Sequence, residues 1–396
     1  MPDWRAMRPE TMLQHLGEDD HVLGAVVPPI FQNSLFVFDT WEQFREAMDQ
    51  QSDPSIPGGP YFYSRINNPT LDLVGQKLAA LEGTESGRFF ASGMAAISAV
   101  VMAITKSGSH VVCVDTCYGP TRAYLKDYMP KFGVETTFVV GDDPQEVFDA
   151  CRPNTSLIFL ESPSSIIFRL QDLGAIAEFA KGRGIRTAID NSYSSAILQR
   201  PAEFGIDYSV STATKYFGGH SDVVAGSVAC SKELMSELIA NEGQYLGAAL
   251  GPFQCWLVLR SMRTMHLRLR QHAETADKVA AWVRAQPWCE RVYHVGFDDF
   301  PQRALRDKQM TGPGGLFSFV PKEQDPARLQ AFTQALQIYQ LGVSWGGFES
   351  LCVPLEFHPM DWPEKKWVVR LFNGLEHADD LIADIAQAVK VGGLKV

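Results

Sequence analysis

The sequence predicts an α/β protein built on a mostly parallel β-sheet, followed by a smaller α+β domain. From about residue 86, short apolar runs alternate with helical patterns, as in parallel strands joined by helical crossovers. The runs are continuously apolar, which indicates strands that are buried on both faces of the sheet. After about residue 260 this alternation stops, which indicates the second domain.

Six apolar runs are predicted to be strands of the large sheet. Helical patterns lie between them, and the clearest begin at Ser92, Pro120 and Asp172. The runs are VVCV from residue 111, TTFVV from 136, LIFL from 157, RTAI from 186, YSVST from 208 and GSVAC from 226.

The C-terminal third mixes helical and extended patterns. A long amphipathic pattern over 264–283 predicts a helix, and Leu381, Ile385 and Val389 share one face of a final helix. Between these helices lie GGLFSFV from residue 314, ARLQAFTQAL from 327, VSWGGFESL from 343 and WVVRLFNGLE from 367. The first 60 residues are irregular, and SDPSIPGGP from residue 52 predicts an exposed loop. We therefore divide the chain into 1–60, 61–260 and 261–396.

Composition and charge exclude several classes of protein. The 396 residues are 45% hydrophobic and 20% charged, which is typical of a globular protein. A net charge of −11 argues against binding to nucleic acid or to acidic membranes. No apolar run approaches the roughly 18 to 20 residues of a membrane span, and the N-terminus lacks a signal-peptide core. We therefore expect a cytoplasmic protein.

The seven cysteines are scattered and form neither a CxxC motif nor a zinc-binding pattern with histidine. We therefore predict reduced thiols and no metal site. Cys113 and Cys117 flank the end of a predicted strand, where buried structural thiols are favoured over metal ligands.

Candidate functional residues follow the predicted strands, because ligands of parallel sheets bind at the carboxyl ends of strands. Asp190 follows one run and Lys215 follows the next, and residues 92–94 begin a helix whose N–H groups suit a phosphate. An acid, a lysine and an anion site are the groups needed to hold pyridoxal phosphate. Each has a simpler interpretation on its own: a solvated lysine, a helix cap and an ordinary helix start.

Longer motifs are more specific. The segment STATKYFGGHSD from residue 211 resembles the lysine segment of the Cys/Met-metabolism family of pyridoxal-phosphate enzymes. Five further segments fit in the same order: YSRINNPT from 63, ASGMAAI from 91, YGPTR from 118, IDNSYSS from 189 and SWGGFESL from 344. The ending VRLFNGLEHADDLIADI from residue 369 fits too, so the resemblance runs from about residue 25 to the C-terminus.

The resemblance implies fold type I, with a seven-stranded, mostly parallel sheet in the large central domain. It also implies a homotetramer of tight dimers, in which residues 1–60 contact the neighbouring subunit. Lys215 would be the Schiff-base lysine and proton-transfer base, Asp190 would keep the pyridine nitrogen protonated, and Tyr118 would stack on the ring as a second catalytic residue. The phosphate would be bound by Ser92, Gly93, Met94, Thr212 and Thr214, with Tyr63 and Arg65 from the neighbouring subunit.

For the substrate, the resemblance implies that Arg370 binds the α-carboxylate with help from Ser344. Simpler roles remain open, such as an ion pair of Arg370 with Glu376 and a surface charge at Arg65. Trp345 would either pack or line the side-chain pocket. His220 is interpreted as a hydrogen-bonding neighbour of Lys215 rather than a catalyst, and Tyr118 and Asp115 have structural interpretations as well.

Two segments favour β-elimination within this family. Members active at Cγ usually read ESPTNP, whereas this chain reads ESPSSI from residue 161, with Ser165 at the asparagine position. The form SWGG with Trp345 is likewise similar to β-lyases. Ser164 and the Gln244–Tyr245 pair depart from the β-lyase pattern.

We therefore predict a carbon–sulfur β-lyase that converts L-cystathionine, or a related cysteine conjugate, to a thiol, pyruvate and ammonia. A γ-synthase, a γ-lyase and a methionine γ-lyase are alternatives on the same scaffold. An inactive protein that binds a phosphorylated ligand is the alternative from another class.

Overall fold

A computed structural model describes residues 2–50 and 59–394 of the chain. Most of the loop predicted over 52–60 lies outside the described residues. No helix in the described ranges has the length and apolar character needed to span a membrane.

The large sheet has seven strands in the order β1-β7-β6-β5-β4-β2-β3. Strands β2 to β6 pair in parallel, whereas β7 runs antiparallel to both β1 and β6. The strands are β1 (Ser86–Phe90), β2 (His110–Val114), β3 (Glu135–Val139), β4 (Thr155–Glu161), β5 (Arg186–Asp190), β6 (Tyr208–Ser211) and β7 (Gly226–Cys230). The predicted mostly parallel sheet is confirmed.

The helices flank the sheets and join their strands. Along the chain they are α1 (Pro9–His15), α2 (Trp41–Gln50), α3 (Pro69–Glu82), α4 (Gly93–Ile104), α5 (Gly119–Ala123), α6 (Pro144–Ala150), α7 (Leu173–Arg183), α8 (Ser195–Leu198), α9 (Lys232–Leu238), α10 (Pro252–Met262), α11 (Met265–Arg284), α12 (Arg303–Gln309), α13 (Pro326–Ala335) and α14 (Ala378–Gly392). Two of them, α1 and α2, lie in the N-terminal segment that the sequence leaves irregular.

The core lies on both faces of the large sheet. Successive residues of β4, from Leu157 to Leu160, are at most 1% exposed although their side chains point to alternate faces. This burial explains the continuously apolar strand sequences, because helices cover both faces. Two of these helices begin at caps: Ser92 accepts the Ala95 N–H at 3.0 Å, and Asp172 accepts the Ala175 N–H at 3.2 Å.

A second, five-stranded sheet forms the C-terminal part in the order β10-β11-β12-β9-β8. Its strands are β8 (Cys289–Tyr293), β9 (Leu316–Pro321), β10 (Gln340–Leu341), β11 (Leu351–Phe357) and β12 (Lys366–Phe372). Only the β10–β11 pair is parallel. The two sheets lie on either side of residue 260, and the domain boundaries at 60/61 and 260/261 remain predictions.

Candidate active site

A cavity of about 270 Å³ lies at the carboxyl edge of the large sheet, where it meets the C-terminal part of the chain. One part of its wall is apolar and is formed by Pro163, Ile166, Phe168, Leu316, Val343 and Trp345. The rest is polar and is formed by Tyr118, Glu161, Ser164, Ser165, Asp190, Ser192, Tyr193, Thr212, Lys215, Ser344 and Arg370. The fold thus brings Lys215, Asp190, Tyr118 and Arg370 together, as the motifs predict.

Lys215 follows β6 and projects its amine into this cavity. Its Nζ donates a hydrogen bond to Ser344 Oγ at 2.7 Å and lies 5.4 Å from the centroid of the Trp345 ring. Burial and, to a lesser extent, the charge of Arg370 lower the pKa of Lys215 to about 8, although the charge of Asp190 opposes both effects. A substantial fraction of this amine is therefore neutral near physiological pH, as a proton-transfer base requires.

Asp190 is the last residue of β5 and is only 4% exposed. Its Oδ1 accepts the Ser192 N–H at 3.0 Å. Burial raises the pKa of Asp190, while the hydrogen bonds from Ser192 and the charge of Lys215 lower it. A buried carboxyl group in this position suits a ring nitrogen that carries a proton.

The predicted phosphate site lies where α4 begins. Gly93 packs so closely on Thr212 that an added Cβ would come within 2.9 Å of Thr212 Cβ. The N–H groups of Gly93 and Met94 belong to the first turn of α4, where N–H groups have no hydrogen-bond acceptor within the helix. Free N–H groups at the start of a helix fit an anionic group, and the Gly93 contact places Thr212 beside them.

Of the predicted phosphate ligands, only Thr212 is on the cavity wall, and residues 92–94 lie beside it through the contact of Gly93 with Thr212. The Thr214 hydroxyl exchanges two hydrogen bonds with the main chain of Ala225, at 3.0 and 3.1 Å, and Thr214 is not on the cavity wall. Tyr63 and Arg65 are exposed and also lie off this wall, with the Arg65 guanidinium carbon 5.5 Å from the Tyr63 ring. Their contribution to a neighbouring subunit remains a prediction.

Tyr118 precedes α5 and is 44% exposed beside the cavity. Its N–H donates to Glu161 Oε2 at 2.6 Å, which fixes the main chain that carries the ring. Burial raises the pKa of the Tyr118 hydroxyl, and the nearby carboxyl groups of Asp190 and Glu161 raise it further. The phenol therefore keeps its proton, and its ring is free to act as an aromatic surface.

Arg370 lies on β12 and faces the cavity. Its Nη2 donates to the carbonyl oxygens of Val343 at 2.7 Å and Ser344 at 3.2 Å. Its buried Nε has no hydrogen-bond partner among the described residues. Burial lowers the pKa of Arg370 to about 10. A partly buried guanidinium with an unused donor suits a bound carboxylate.

The alternative partner of Arg370 is engaged elsewhere. Glu376 accepts hydrogen bonds from the N–H of Ser350 at 2.9 Å and from its hydroxyl at 2.8 Å. Trp345 lines the cavity, and its ring packs edge-on against Tyr216 at 5.3 Å.

Glu161 is the main site residue that sequence reasoning missed. It is the last residue of β4, is 7% exposed, and accepts a hydrogen bond from Ser165 Oγ at 2.7 Å. The rule that directed attention to Asp190, a polar residue at a strand end, could have found it. Ser165 reaches the cavity as predicted, and in this structure its hydroxyl is bonded to Glu161.

Other residues considered from the sequence lie outside the cavity wall. His220 Nδ1 lies 2.9 Å from the Gly218 carbonyl oxygen, and Tyr245 is 80% exposed. Asp115 accepts the Met360 N–H at 2.7 Å and so joins the two parts of the chain. Within residues 2–50 and 59–394, no group of three or more His, Cys, Asp or Glu side chains could hold a metal ion.

Comparison with known proteins agrees with this geometry. Residues 10–390 match the family model described as Cys/Met metabolism PLP-dependent enzyme. The chain belongs to this family. Pyridoxal 5'-phosphate is therefore the expected cofactor, and the amine, the buried acid and the close-packed anion site fit it.

The relatives of this Cys/Met metabolism enzyme include lyases that act at different bonds. An L-methionine gamma-lyase of Porphyromonas gingivalis is 37% identical, with 94% of each chain covered. A cystathionine beta-lyase of Bacillus subtilis is 34% identical, with 96% of each chain covered. A cystathionine gamma-lyase structure from Lactobacillus plantarum, complexed with L-serine, is 30% identical. It has a TM-score of 0.87 and covers 98% of this chain and 100% of that chain.

When bound, pyridoxal phosphate supplies an aldehyde and a conjugated ring that accepts electrons from the carbon next to an amino group. The residues of this chain supply the remaining functions. Lys215 can take up and return a proton, Arg370 can hold a carboxylate, and the apolar wall can exclude water from the reacting atoms.

Proposed function

We propose that this family member is a carbon–sulfur β-lyase that acts on L-cystathionine or a related cysteine conjugate. The Cβ–S bond breaks, the sulfur leaves as a thiol, and hydrolysis of the remaining fragment gives pyruvate and ammonia. Lys215 transfers the Cα proton and Arg370 holds the α-carboxylate. Asp190 and Tyr118 contact the ring, and the phosphate is bound at residues 92–94, Thr212 and Thr214.

The observation that carries the proposal is the confined amine of Lys215. Its Nζ lies 2.7 Å from Ser344 Oγ and 5.4 Å from the centroid of the Trp345 ring. β-Elimination needs proton transfer at Cα alone, whereas γ-elimination also needs a base that reaches Cβ. A confined amine therefore favours the shorter route. The identity to a cystathionine beta-lyase adds support.

A second candidate is γ-elimination, as in a methionine γ-lyase. It is favoured by the 37% identity to a protein of that name and by the apolar wall of Ile166, Phe168 and Val343, which suits a simple thioether side chain. The products distinguish the candidates, because γ-elimination yields 2-oxobutanoate rather than pyruvate.

The test is to incubate the purified holoenzyme with L-cystathionine, S-methyl-L-cysteine and L-methionine, and to identify the keto acids by mass spectrometry. Pyruvate from the first two substrates supports the proposal. 2-Oxobutanoate from cystathionine or methionine would replace it with γ-elimination. Exchange of the Cα proton without any keto acid would contradict a lyase of either kind.

The role of Lys215 is tested separately by borohydride reduction and peptide mapping. We expect the cofactor to be fixed to Lys215, and Lys215→Ala to abolish turnover. A protein that remains colourless with added pyridoxal phosphate would instead support the ligand-binding alternative.

We also propose a cytoplasmic homotetramer with shared active sites. The N-terminal segment exposes large apolar side chains, among them Leu23 at 103%, Val37 at 88% and Trp41 at 67%. Exposed apolar surface of this kind is typical of protein interfaces. The seven cysteines are free thiols, as expected in a reducing compartment.

A hybrid experiment tests the sharing of sites. Arg65→Ala and Lys215→Ala subunits are each expected to be inactive alone. When they are refolded together, mixed pairs should have one intact site, which restores about a quarter of wild-type activity because the interface is symmetric. Failure to regain activity, with mixed oligomers verified by mass, would overturn the assignment of Arg65.

A further inference from the structure

The carboxyl groups of Glu161 and Asp190 form a buried pair that the proposed chemistry uses only in part. The two residues end neighbouring parallel strands and are in register, so both lie at the edge of the sheet that carries the cavity. Glu161 is 7% exposed and Asp190 is 4% exposed. Two adjacent buried carboxyl groups do not both remain ionised, because each charge is desolvated and repels the other.

The surroundings favour the charge on Asp190. Lys215 stabilises the Asp190 anion, whereas the charge of Asp190 adds to burial in raising the pKa of Glu161 to about 8. The other charged or titratable groups of the cavity are Arg370, Tyr118 and Tyr193. Burial and the nearby Asp190 charge therefore both favour the protonated form of Glu161.

Glu161 also joins two loops. Its Oε2 accepts the Tyr118 N–H at 2.6 Å, from the loop between β2 and α5. Its Oε1 lies 2.7 Å from Ser165 Oγ, in the loop after β4. The loop after β4 includes Ile166 and Phe168, with φ angles of 69° and 53° that are rare for such side chains. Both loops form walls of the cavity.

We propose that Glu161, as a neutral carboxyl group, is a positioning residue that fixes Tyr118 and the 162–168 loop around the cofactor and leaves Asp190 as the anionic member of the pair. This role does not depend on whether elimination occurs at Cβ or Cγ. It depends on the hydrogen-bonding shape of the Glu161 side chain and not on its charge.

Glu161→Gln and Glu161→Ala separate shape from charge. A glutamine oxygen can accept the Tyr118 N–H. Its nitrogen can donate to Ser165 Oγ once that hydroxyl turns from donor to acceptor, so Glu161→Gln keeps both contacts without a charge. Alanine removes both contacts. The measurements are the dissociation constant for pyridoxal phosphate and the visible circular dichroism of the bound cofactor, which reports its asymmetric surroundings.

We expect Glu161→Gln to keep the dissociation constant within about threefold of wild type and to keep the dichroic band. Glu161→Ala should weaken cofactor binding at least about tenfold, as expected for two lost hydrogen bonds, and reduce the band. Ser165→Ala, which removes one contact, should fall between them.

Glu82 provides the matched control. It is also buried, at 1% exposure, and burial raises its pKa to about 8, but it does not line the cavity. Glu82→Ala should change the melting temperature of the cofactor-free protein without changing the dichroic band. A loss in Glu161→Gln as large as in Glu161→Ala would show that charge is required and overturn the proposal. An unchanged band and affinity in Glu161→Ala would also overturn it.

Discussion

Gly346 lies directly against the main chain of Lys215, so that an added Cβ would come within 2.8 Å of the Lys215 carbonyl carbon. Gly346 also has a φ of +88°, which side chains other than glycine rarely adopt. This contact seats the loop of Ser344 and Trp345 on the segment that carries the reactive amine.

Gly346→Ala is therefore expected to displace this loop. The backbone strain alone costs about 1–3 kcal/mol, and the close contact adds to it. We expect the value of kcat/KM to fall at least about 100-fold, because the reacting groups lose their alignment. Gly182→Ala is the control, since Gly182 has nothing within 4 Å of an added Cβ. Equal activity in the two variants would contradict the importance of this contact.

Ser344→Ala removes the hydroxyl group bonded to Lys215 but keeps the carbonyl oxygen that Arg370 contacts. A hydrogen bond to a charged group contributes about 1.5–3 kcal/mol, so we expect kcat to fall about tenfold or more. The Michaelis constant should change much less. A rise in KM at constant kcat would instead assign Ser344 to substrate binding.

Arg370→Lys keeps the positive charge but removes the planar fork that can bind a carboxylate through two hydrogen bonds. We expect KM to rise about 10- to 100-fold, with a smaller change in kcat. Lys366→Ala is the control on the same strand, because Lys366 pairs with Glu290 at the surface. A KM for Arg370→Lys that equals the wild-type value would exclude Arg370 as the carboxylate ligand.

His272 is expected to make stability depend on pH. Burial lowers the pKa of His272 from 6.5 to about 4, opposed by its hydrogen bonds to the carbonyl oxygens of Gly374 and Asn373. Unfolding therefore takes up a proton between pH 6.5 and 4, and stability falls as the pH is lowered through this window. The full shift corresponds to about 3 kcal/mol.

His272→Asn tests this effect. The asparagine Nδ2 can donate a hydrogen bond where Nδ1–H of His272 does, and asparagine does not titrate. Urea unfolding at pH 7 and pH 4.5 should show a smaller loss of stability in the variant than in the wild type. The same loss in both proteins would contradict the assignment to His272.

Much of the fold was predictable because strands that are buried on both faces have continuously apolar sequences. The six predicted runs all coincide with strands β2 to β7. Strand β1 was missed because Arg88 interrupts its apolar pattern. That guanidinium is satisfied by Asn67 Oδ1 at 3.3 Å and the Arg65 carbonyl oxygen at 3.2 Å. The α-helix predicted from Pro120 ends at Ala123. It is followed by a π-helical turn over Tyr124–Tyr128 and a 3₁₀ helix over Met129–Phe132, which contains Pro130.

The site residues that the sequence predicts are those whose function depends on a single side chain within a motif, such as Lys215, Asp190 and Arg370. Hydrogen bonds between residues far apart in the sequence have no such motif. The bond from Tyr118 to Glu161 spans 43 residues, and the bond from Lys215 to Ser344 spans 129. Only the folded chain reveals these pairs.

The position of β1 at the edge of the large sheet bears on how the chain is made. Its partner β7 ends at Cys230, and Ser86 pairs with Cys230 in the final register. A ribosome must therefore add about 140 further residues after β1 before that edge can close. During this interval an unpaired strand of Phe89 and Phe90 is available to other nascent chains, so yield on expression should depend strongly on chaperone supply and temperature.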